Sequence, residues 1–193
     1  MTLWVVRHAQ PLIAPGICYG ALDLAADPTA TRQAAQALAQ VLPQGVQLHC
    51  SVLQRCEQLA KAICGLRPDL TCKPEPRLVE MNFGEYECVA WADIAQDALD
   101  AWTSDFAQHR FGGKESVAEL MARVAAVWDE CQPSSGGPPD KVWISHAGVA
   151  RAAVLLEQGI RLPQTAQQWP LQAPAFGGWI RLAHCACPPK AGL

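Results

Sequence analysis

The sequence TLWVVRH at residues 2–8 is a short apolar run that ends abruptly at an arginine and a histidine. Its apolar side chains stand at adjacent positions, a pattern typical of a strand buried on both faces of a sheet. A second run of the same kind, KVWISH at residues 141–146, also ends at a histidine. Helical patterns over residues 29–42 and 117–131 lie between them. Alternating strands and helices predict a mostly parallel sheet with helices on both faces.

The expected fold is therefore of the α/β class, a three-layer α/β/α sandwich with a mostly parallel central sheet. Residues 1–193 are long enough for one domain with a substantial core, and a single domain is predicted. Residues 81–115 are irregular and are predicted to form a small helical cap, with short helices near 91–94 and 98–106. The stretch 133–140 is rich in Pro, Gly and Ser and is interpreted as a surface linker.

Capping residues predict where the helices begin and end. The predicted boundary residues are Asp27 and Pro43 for the first helix, Ser51 and Gly65 for the second, Ser116 with Glu119 for the helix over 117–131, and Gly159 after a helix over 148–158. Further strands are predicted over residues 45–50, 70–73 and 176–185.

Composition excludes several classes of protein. Half of the residues are apolar, 17% are charged and the formal net charge is −3, which is the profile of a globular protein. Nothing in this balance indicates nucleic-acid binding, which usually uses a basic face. No apolar run approaches the roughly 18 residues of a membrane span, and the N-terminus lacks the pattern of a signal peptide. No membrane partner is therefore expected.

The nine cysteines are scattered, and none forms a C-x-x-C pair of the kind found in zinc sites. The closest two are Cys185 and Cys187. All nine cysteines are interpreted as reduced core residues of a cytoplasmic protein rather than as a disulfide framework. No metal site and no cofactor are predicted.

Four basic side chains are expected near one edge of the sheet. Arg7 and His8 follow the first strand, and His146 follows the strand that ends at Ser145. Arg55 comes shortly after a third strand. In open α/β sheets, ligands bind beyond the carboxyl ends of the strands. Each residue alone has an ordinary structural interpretation, but their joint position predicts an anion-binding site.

At this point the sequence resembles the histidine phosphatase superfamily, the phosphoglycerate mutase-like group. The resemblance covers six blocks in the family's order: VRHAQ (6–10), CYG with Asp23 (18–23), SVLQRC (51–56), LVEMNFGEYE (78–87), GGKES (112–116) and SHAGVAR (145–151). The stretch GICYG at 16–20 looks most like the α-ribazole phosphatase branch.

The resemblance implies that His8 attacks phosphorus and carries a phosphohistidine, a role that a neutral imidazole can fill near pH 7. Arg7 and Arg55 would bind the non-bridging oxygens, since a guanidinium matches phosphate geometry. His146, with the amide of Ala147, would stabilise the transferring group. Glu80 would protonate the leaving oxygen and then activate water.

Gln10 and Tyr19 are further predicted contacts to the phosphate or the substrate. Cys18, Tyr19 and Asp23 are expected either to line the pocket or to order their loop. Glu115 and Ser116 fit a capping role better than a catalytic one. Trp91 and Trp102 are expected to pack within the cap rather than to stack on substrate.

Four positions depart from the family pattern. Ala9 and Cys88 stand where glycine is usual, Pro11 replaces a common Ser or Thr, and Leu59 replaces a common Thr. Ala9 is tolerable only if its backbone does not require positive φ. Because none of these changes removes a predicted catalytic group, they bear on rate and substrate more than on chemistry.

The sequence predicts a metal-independent phosphomonoesterase acting on a small phosphate ester, with α-ribazole 5′-phosphate as one substrate. One alternative is a phosphoglycerate mutase, although those members are longer. The other is a non-catalytic phospho-ligand sensor, which an intact catalytic set disfavours. The expected partner is a small-molecule phosphate ester, and both a monomer and a homodimer stay open.

Overall fold

Five strands form one sheet in the computed structural model, which describes residues 2–131 and 140–183. The strands are β1 (Thr2–Arg7), β2 (Gln47–Cys50), β3 (Cys72–Pro74), β4 (Asp140–Ser145) and β5 (Trp179–Ala183), in the order β3-β2-β4-β1-β5. β3, β2, β4 and β1 are parallel, and β5 pairs antiparallel with β1 at the edge. The predicted, mostly parallel sheet is confirmed.

Helices cover both faces of this sheet. The α-helices of the described residues are α1 (Pro28–Val41), α2 (Gln54–Leu66), α3 (Gln96–Ser104), α4 (Val117–Glu130) and α5 (Ala147–Glu157). The core on one face joins α1 and α2 to side chains such as Val6 and Ile144. The core on the other face joins α4 and α5 to Leu3, Val5 and Trp143. Adjacent strand residues thus serve opposite cores, which explains the unbroken apolar runs.

Several predicted helix ends are confirmed. Asp27 caps α1 by accepting a hydrogen bond from the Ala30 amide, 2.7 Å away. Ser116 and Glu119 form the predicted capping box of α4. Gly159 follows α5 with a φ of +78°, a conformation that glycine adopts without steric cost.

Both predicted ends of α2 are wrong. The helix begins after Leu53, and the Asp23 carboxylate, not Ser51, accepts from its first amide, that of Gln54. Gly65 lies inside the helix, which ends at Leu66. Arg67 follows and donates to carbonyl oxygens of Ala39, Leu42 and Pro43. Tertiary partners therefore replace the local caps at both ends.

Three strands begin later than predicted. β2 begins at Gln47 rather than at residue 45, since Gly45 has a φ of +66° and forms a turn. β3 lies two residues later than predicted, because its pairing with β2 begins at Cys72 opposite Leu48. β5 begins at Trp179 rather than at residue 176, since Gly177 has a φ of +73° and forms a turn. Residues 184 and 185 of the predicted strand lie outside the described residues, as do residues 133–139 of the predicted linker.

Residues 81–115 contain α3 and short 3-10 turns at Gly84–Tyr86, Trp91–Asp93 and Phe111–Gly113. Their side chains build a small aromatic cluster around Phe111, which is fully buried. Trp102 stacks on Phe111 with ring centroids 4.4 Å apart, and Trp91 stacks on it at 6.0 Å. The prediction that both tryptophans pack in this segment is confirmed.

Within residues 2–131 and 140–183, no helix combines the length and the apolar character needed to cross a bilayer.

Candidate active site

The parallel pairing of β1 with β4 brings the two strand-end histidines together. Arg7 pairs with Ser145 in the sheet, so His8 and His146 leave neighbouring strands at the same level. Their ring centroids are 5.1 Å apart. The predicted meeting of the two histidines at one sheet edge is therefore observed.

The ring of His8 is 2% exposed, and both of its nitrogens have protein partners. Nδ1 lies 2.7 Å from the carbonyl oxygen of Ala9, which only accepts, so the ring proton is on Nδ1. Nε2 lies 3.2 Å from Nε of Arg55, which only donates, so Nε2 carries the lone pair. Nε2 is therefore the ring nitrogen whose lone pair could act as a nucleophile.

Burial, then the charge of Arg55 and, to a smaller extent, that of Arg7 together lower the pKa of His8 to about 3. The hydrogen bond to Ala9 opposes this shift but does not cancel it. Since the ordinary histidine pKa is close to 6.5, the ring of His8 is neutral throughout the physiological range. The lone pair on Nε2 is therefore available without prior deprotonation.

Arg55 is fully buried in the first turn of α2. Besides its bond to His8, its two terminal nitrogens donate to the carbonyl oxygens of Leu22 at 2.7 Å and Gly20 at 2.6 Å. Three of its five N–H groups are thus used to fix its position, and two are left for an anion. Burial lowers the pKa of this guanidinium, but an arginine side chain stays charged at neutral pH.

Arg7 approaches the site from the end of β1. Its guanidinium lies 3.8 Å from the ring centroid of Phe176 and donates to the carbonyl oxygen of Pro174 at 3.1 Å. Its Nε is buried without a partner among the described residues. Phe176 also lies against His8, with centroids 5.6 Å apart. Phe176 belongs to no predicted motif, because only the folding of β5 beside β1 brings it here.

His146 is fully buried, and its Nε2 is 2.8 Å from the hydroxyl oxygen of Ser51. Burial, followed by the charge of Arg55, holds the pKa of His146 well below its usual range. Ser51, predicted as a helix cap, instead orients this ring. Ala147 is the first residue of α5, where amides have no partner within the helix.

Glu80 is held at the beginning of α5. Its Oε2 accepts from the Gly148 amide at 2.9 Å and its Oε1 accepts from the Met81 amide at 3.1 Å. A Cβ atom at position 148 would overlap Oε1 of Glu80, so glycine is required for this approach. Arg123 donates to the carbonyl oxygens of Val79 and Glu80, which fixes the backbone beneath the carboxylate.

The loop that holds Arg55 is itself tied to residues 81–87. One oxygen of Glu87 accepts from the amides of Ala21 and Phe83, and the other accepts from the amide of Leu22 at 2.6 Å. Glu87 therefore fixes the carbonyl groups that position Arg55. This role follows from contacts across 65 residues of sequence and has no local signal.

Of the remaining predicted residues, Tyr19 lies next to Arg55, whereas Gln10, Cys18 and Asp23 have other surroundings. Tyr19 lies over Arg55, with 5.5 Å between Cζ and the ring centroid, and burial raises its pKa. Gln10 has an exposed side chain, and its carbonyl oxygen accepts from the Asp27 amide. Cys18 and Asp23 order the loop, since Cys18 is buried in the aromatic cluster and Asp23 binds Gln54. Substrate contact by Gln10 stays a prediction.

Ser116 is a cap as predicted, but Glu115 is not. Its carboxylate forms an ion pair with Arg123 at 2.7 Å and accepts from the Asn82 amide. Glu115 thus links the segment after Glu80 to α4. Its neighbour Ser116 caps the start of that helix instead.

The structure shows the surroundings of three of the four residues that depart from the family pattern. Among the described residues, Cys88 is the single non-glycine residue with positive φ, so Ala9 meets the condition set for it. Cys88 has a φ of +71° and occupies a conformation that glycine would adopt more easily. Leu59 is fully buried in the core against α1.

No group of three or more His, Cys, Asp or Glu side chains with metal-ligand geometry occurs within residues 2–131 and 140–183. The seven cysteines in this part of the chain are free thiols.

We expect the free energy of unfolding to fall as the pH is lowered from 6.5 towards 3. In this window the unfolded chain protonates its histidines, whereas folded His8 and His146 stay neutral, so acid favours unfolding. The slope from His8 alone is roughly 1 kcal/mol per pH unit. Urea unfolding at several pH values should give a smaller slope for His8→Asn than for the wild type; equal slopes would contradict the buried neutral ring.

The fold and site define an α/β protein with a neutral histidine and two arginines at the carboxyl end of its sheet. The family model of the histidine phosphatase superfamily (branch 1) matches residues 3–174. The chain belongs to the histidine phosphatase superfamily.

Solved structures of similar proteins have the same fold. Mycobacterial glucosyl-3-phosphoglycerate phosphatase is 25% identical, with a TM-score of 0.75 over 93% of this chain and 88% of that chain. The protein TTHB049 from Thermus thermophilus is 25% identical, with a TM-score of 0.69 over 94% of this chain and 92% of that chain. No curated protein sequence matches the chain significantly. The family and its phosphatase relative support phosphatase activity.

Proposed function

We propose that this protein is a metal-independent phosphomonoesterase that hydrolyses a small phosphate ester through a phosphohistidine on His8. The observation that carries the proposal is the hydrogen bond between Nε2 of His8 and Arg55. It supports the proposal because an unprotonated imidazole nitrogen lies 3.2 Å from a guanidinium nitrogen in a buried site. α-Ribazole 5′-phosphate is one candidate substrate.

In the first step, the substrate phosphate takes over the N–H of Arg55 and so releases the lone pair on Nε2 of His8. The P–Nε2 bond forms as the ester P–O bond breaks. Arg7, Arg55, His146 and the Ala147 amide stabilise the oxygens of the transferring group, which is the main requirement of phosphoryl transfer.

Glu80 supplies acid–base catalysis at the leaving oxygen. In its protonated form it gives a proton to the departing alkoxide, and as a carboxylate it then takes a proton from the attacking water. That attack breaks the P–Nε2 bond and releases inorganic phosphate. The bonds from Gly148 and Met81 hold the carboxylate in place for both steps.

A phosphate-release screen over metabolite esters, with EDTA present throughout, tests the activity. The panel should include α-ribazole 5′-phosphate and glucosyl-3-phosphoglycerate. Release that survives chelation supports the proposal. Conversion of 3-phosphoglycerate to its 2-isomer with little phosphate released would indicate a mutase, and tight ester binding without turnover would indicate a sensor.

Glu80→Gln should lower kcat/KM by about 10²–10⁴-fold for alkyl phosphates, whose leaving groups need a proton. The loss should be much smaller for 4-nitrophenyl phosphate, whose leaving group departs without protonation. Glu85→Gln is the matched control, because Glu85 is an exposed carboxylate of the same segment. An equal loss for both ester types would show that Glu80 is not the acid.

A further inference from the structure

A cavity of about 260 Å³ opens beside Glu80, on the side of α5 that carries Gly148. Glu80 and Gly148 belong to its wall, so the cavity begins where the leaving oxygen of a bound ester would be protonated. The opposite wall comes from residues 81–106 and from the segment around Trp169. Its position makes it the natural place for the alcohol part of a substrate.

The walls of this cavity are mainly apolar and include five aromatic rings. The rings that line it belong to Phe83, Trp91, Trp102, Phe106 and Trp169. They also contact one another, with centroid distances from 5.7 Å for Phe83 and Trp91 to 6.2 Å for Phe83 and Trp102. Because these rings brace one another and Phe111, the cavity is preformed. Such walls favour a flat apolar group over a polyhydroxylated one, whose hydroxyls would lose water without gaining partners.

Arg151 is the one basic side chain of the lining, and no part of the proposed chemistry uses it. It lies one helical turn after Gly148, on the same face of α5. One terminal nitrogen donates to the carbonyl oxygen of Leu171 at 3.1 Å, while its Nε is buried and has no partner among the described residues. Burial lowers the pKa of this guanidinium, and the negative charge of Glu80 opposes that shift. Arg151 is in none of the ion pairs found within the described part of the chain.

Trp102 provides a second donor of the same kind. Its Nε1 is also buried without a partner in the described residues. Buried donors are nearly always satisfied in folded proteins, so two unsatisfied donors on side chains that line one cavity favour a ligand with acceptor atoms there.

We propose that this cavity is the leaving-group pocket, that it selects esters of alcohols bearing an aromatic ring, and that Arg151 determines specificity by binding an acceptor group on that alcohol. The proposal rests on the phosphatase function above and names the substrate class of the same site. Carboxylate is the strongest acceptor for Arg151, since a hydrogen bond between two charged groups is about twice as strong as a neutral one.

The first experiment compares kcat/KM for benzyl phosphate and cyclohexylmethyl phosphate, two alkyl esters of similar size and leaving-group basicity. We expect the aromatic ester to be preferred about three- to tenfold. Trp91→Leu should shrink that preference, and Trp91 is exposed enough (37%) for the replacement to leave the core filled. No preference in the wild type would overturn the aromatic selectivity.

The second experiment adds a carboxylate to the 3- or 4-position of benzyl phosphate. The wild type should prefer one carboxylated isomer at least about tenfold, mainly through KM. Arg151→Met should lose that preference, and Arg151→Lys, which keeps the charge without the Nε donor, should retain part of it. Arg32→Met, at an exposed arginine on α1, should leave it unchanged.

The possible outcomes distinguish a failure of the specificity proposal from a failure of the proposed phosphatase function. If Arg151→Met lowered kcat/KM by the same factor for benzyl phosphate and for its carboxylated form, Arg151 would act on the transferred phosphate or on folding. That result would overturn its role in specificity. The absence of a carboxylate preference in the wild type would also overturn it. Wild-type protein that releases phosphate from esters of the metabolite panel but from none of these esters would overturn the substrate class. Release from neither set of esters would instead contradict the phosphatase function itself.

Discussion

Replacing His8 by alanine should lower kcat/KM for phosphate release by on the order of 10⁴-fold or more. The reason is that Nε2 of His8 forms the bond to phosphorus, and no described residue beside it offers another neutral, positioned lone pair. His146 does not substitute, because its ring is fully buried and its Nε2 lies against both the Ser51 hydroxyl and the Cys56 thiol rather than beside an arginine alone. The measurement is steady-state phosphate release from the best ester of the screen.

His109→Ala is the matched control, since His109 lies in the segment 81–115 and its side chain belongs to no part of the proposed machinery. It should keep wild-type activity. A thermal melt of His8→Ala separates lost chemistry from lost structure. If a folded His8→Ala protein kept more than a few per cent of the activity, the nucleophile would have been assigned wrongly.

Replacing Arg55 by methionine should lower kcat/KM by roughly 10³-fold, the scale of removing a positioned donor from a site of charge stabilisation. The loss has two sources. The phosphate loses a bidentate cation, and the loop around Gly20 and Leu22 loses the donor that holds it. Arg55→Lys should recover only part of the rate, because an ammonium group has no planar fork.

The pH profile distinguishes this role from a purely structural one. The charge of Arg55 lowers the pKa of His8, so its removal raises that pKa. The acid limb of kcat/KM should therefore appear at higher pH in Arg55→Met than in the wild type. Arg32→Met should change neither rate nor profile. An unchanged acid limb in a folded Arg55→Met protein would contradict the coupling between these residues.

The sequence predicted the parts of the site that depend on local pattern and sheet topology. His8 and His146 were predictable because each ends an apolar strand, and parallel strands present their carboxyl ends at one edge. Arg55 and Glu80 were placed through the resemblance to the family, and the structure brings both to this edge. The α/β architecture followed from the alternation of strands and helices.

The residues that position these groups were not predictable in the same way. Ser51 looked like a helix cap, yet its hydroxyl binds His146, because Asp23 from a distant loop caps α2. Glu115 looked like part of a helix start but pairs with Arg123. Each is a polar side chain whose partner is chosen by tertiary packing, so local sequence gives no signal for it.

The cavity lined by aromatic rings was also not predictable from local sequence. Trp91 and Trp102 were predicted to pack, and they do, but the pattern did not show that their packing leaves a cavity next to Glu80. Arg151 stood within a family-like block without an assigned task. Its unpaired Nε becomes visible only when α5 is placed against the segment around Leu171.

The most direct test of the central claim is to trap the phosphorylated protein. Wild-type protein is mixed with a phosphate ester, quenched in alkali within milliseconds and digested for mass spectrometry. A covalent phosphohistidine at Nε2 of His8, stable in alkali and labile in acid, is the predicted result. A phosphoryl group on any other side chain, or phosphate formed from labelled ester with inversion at phosphorus and no covalent species, would contradict it.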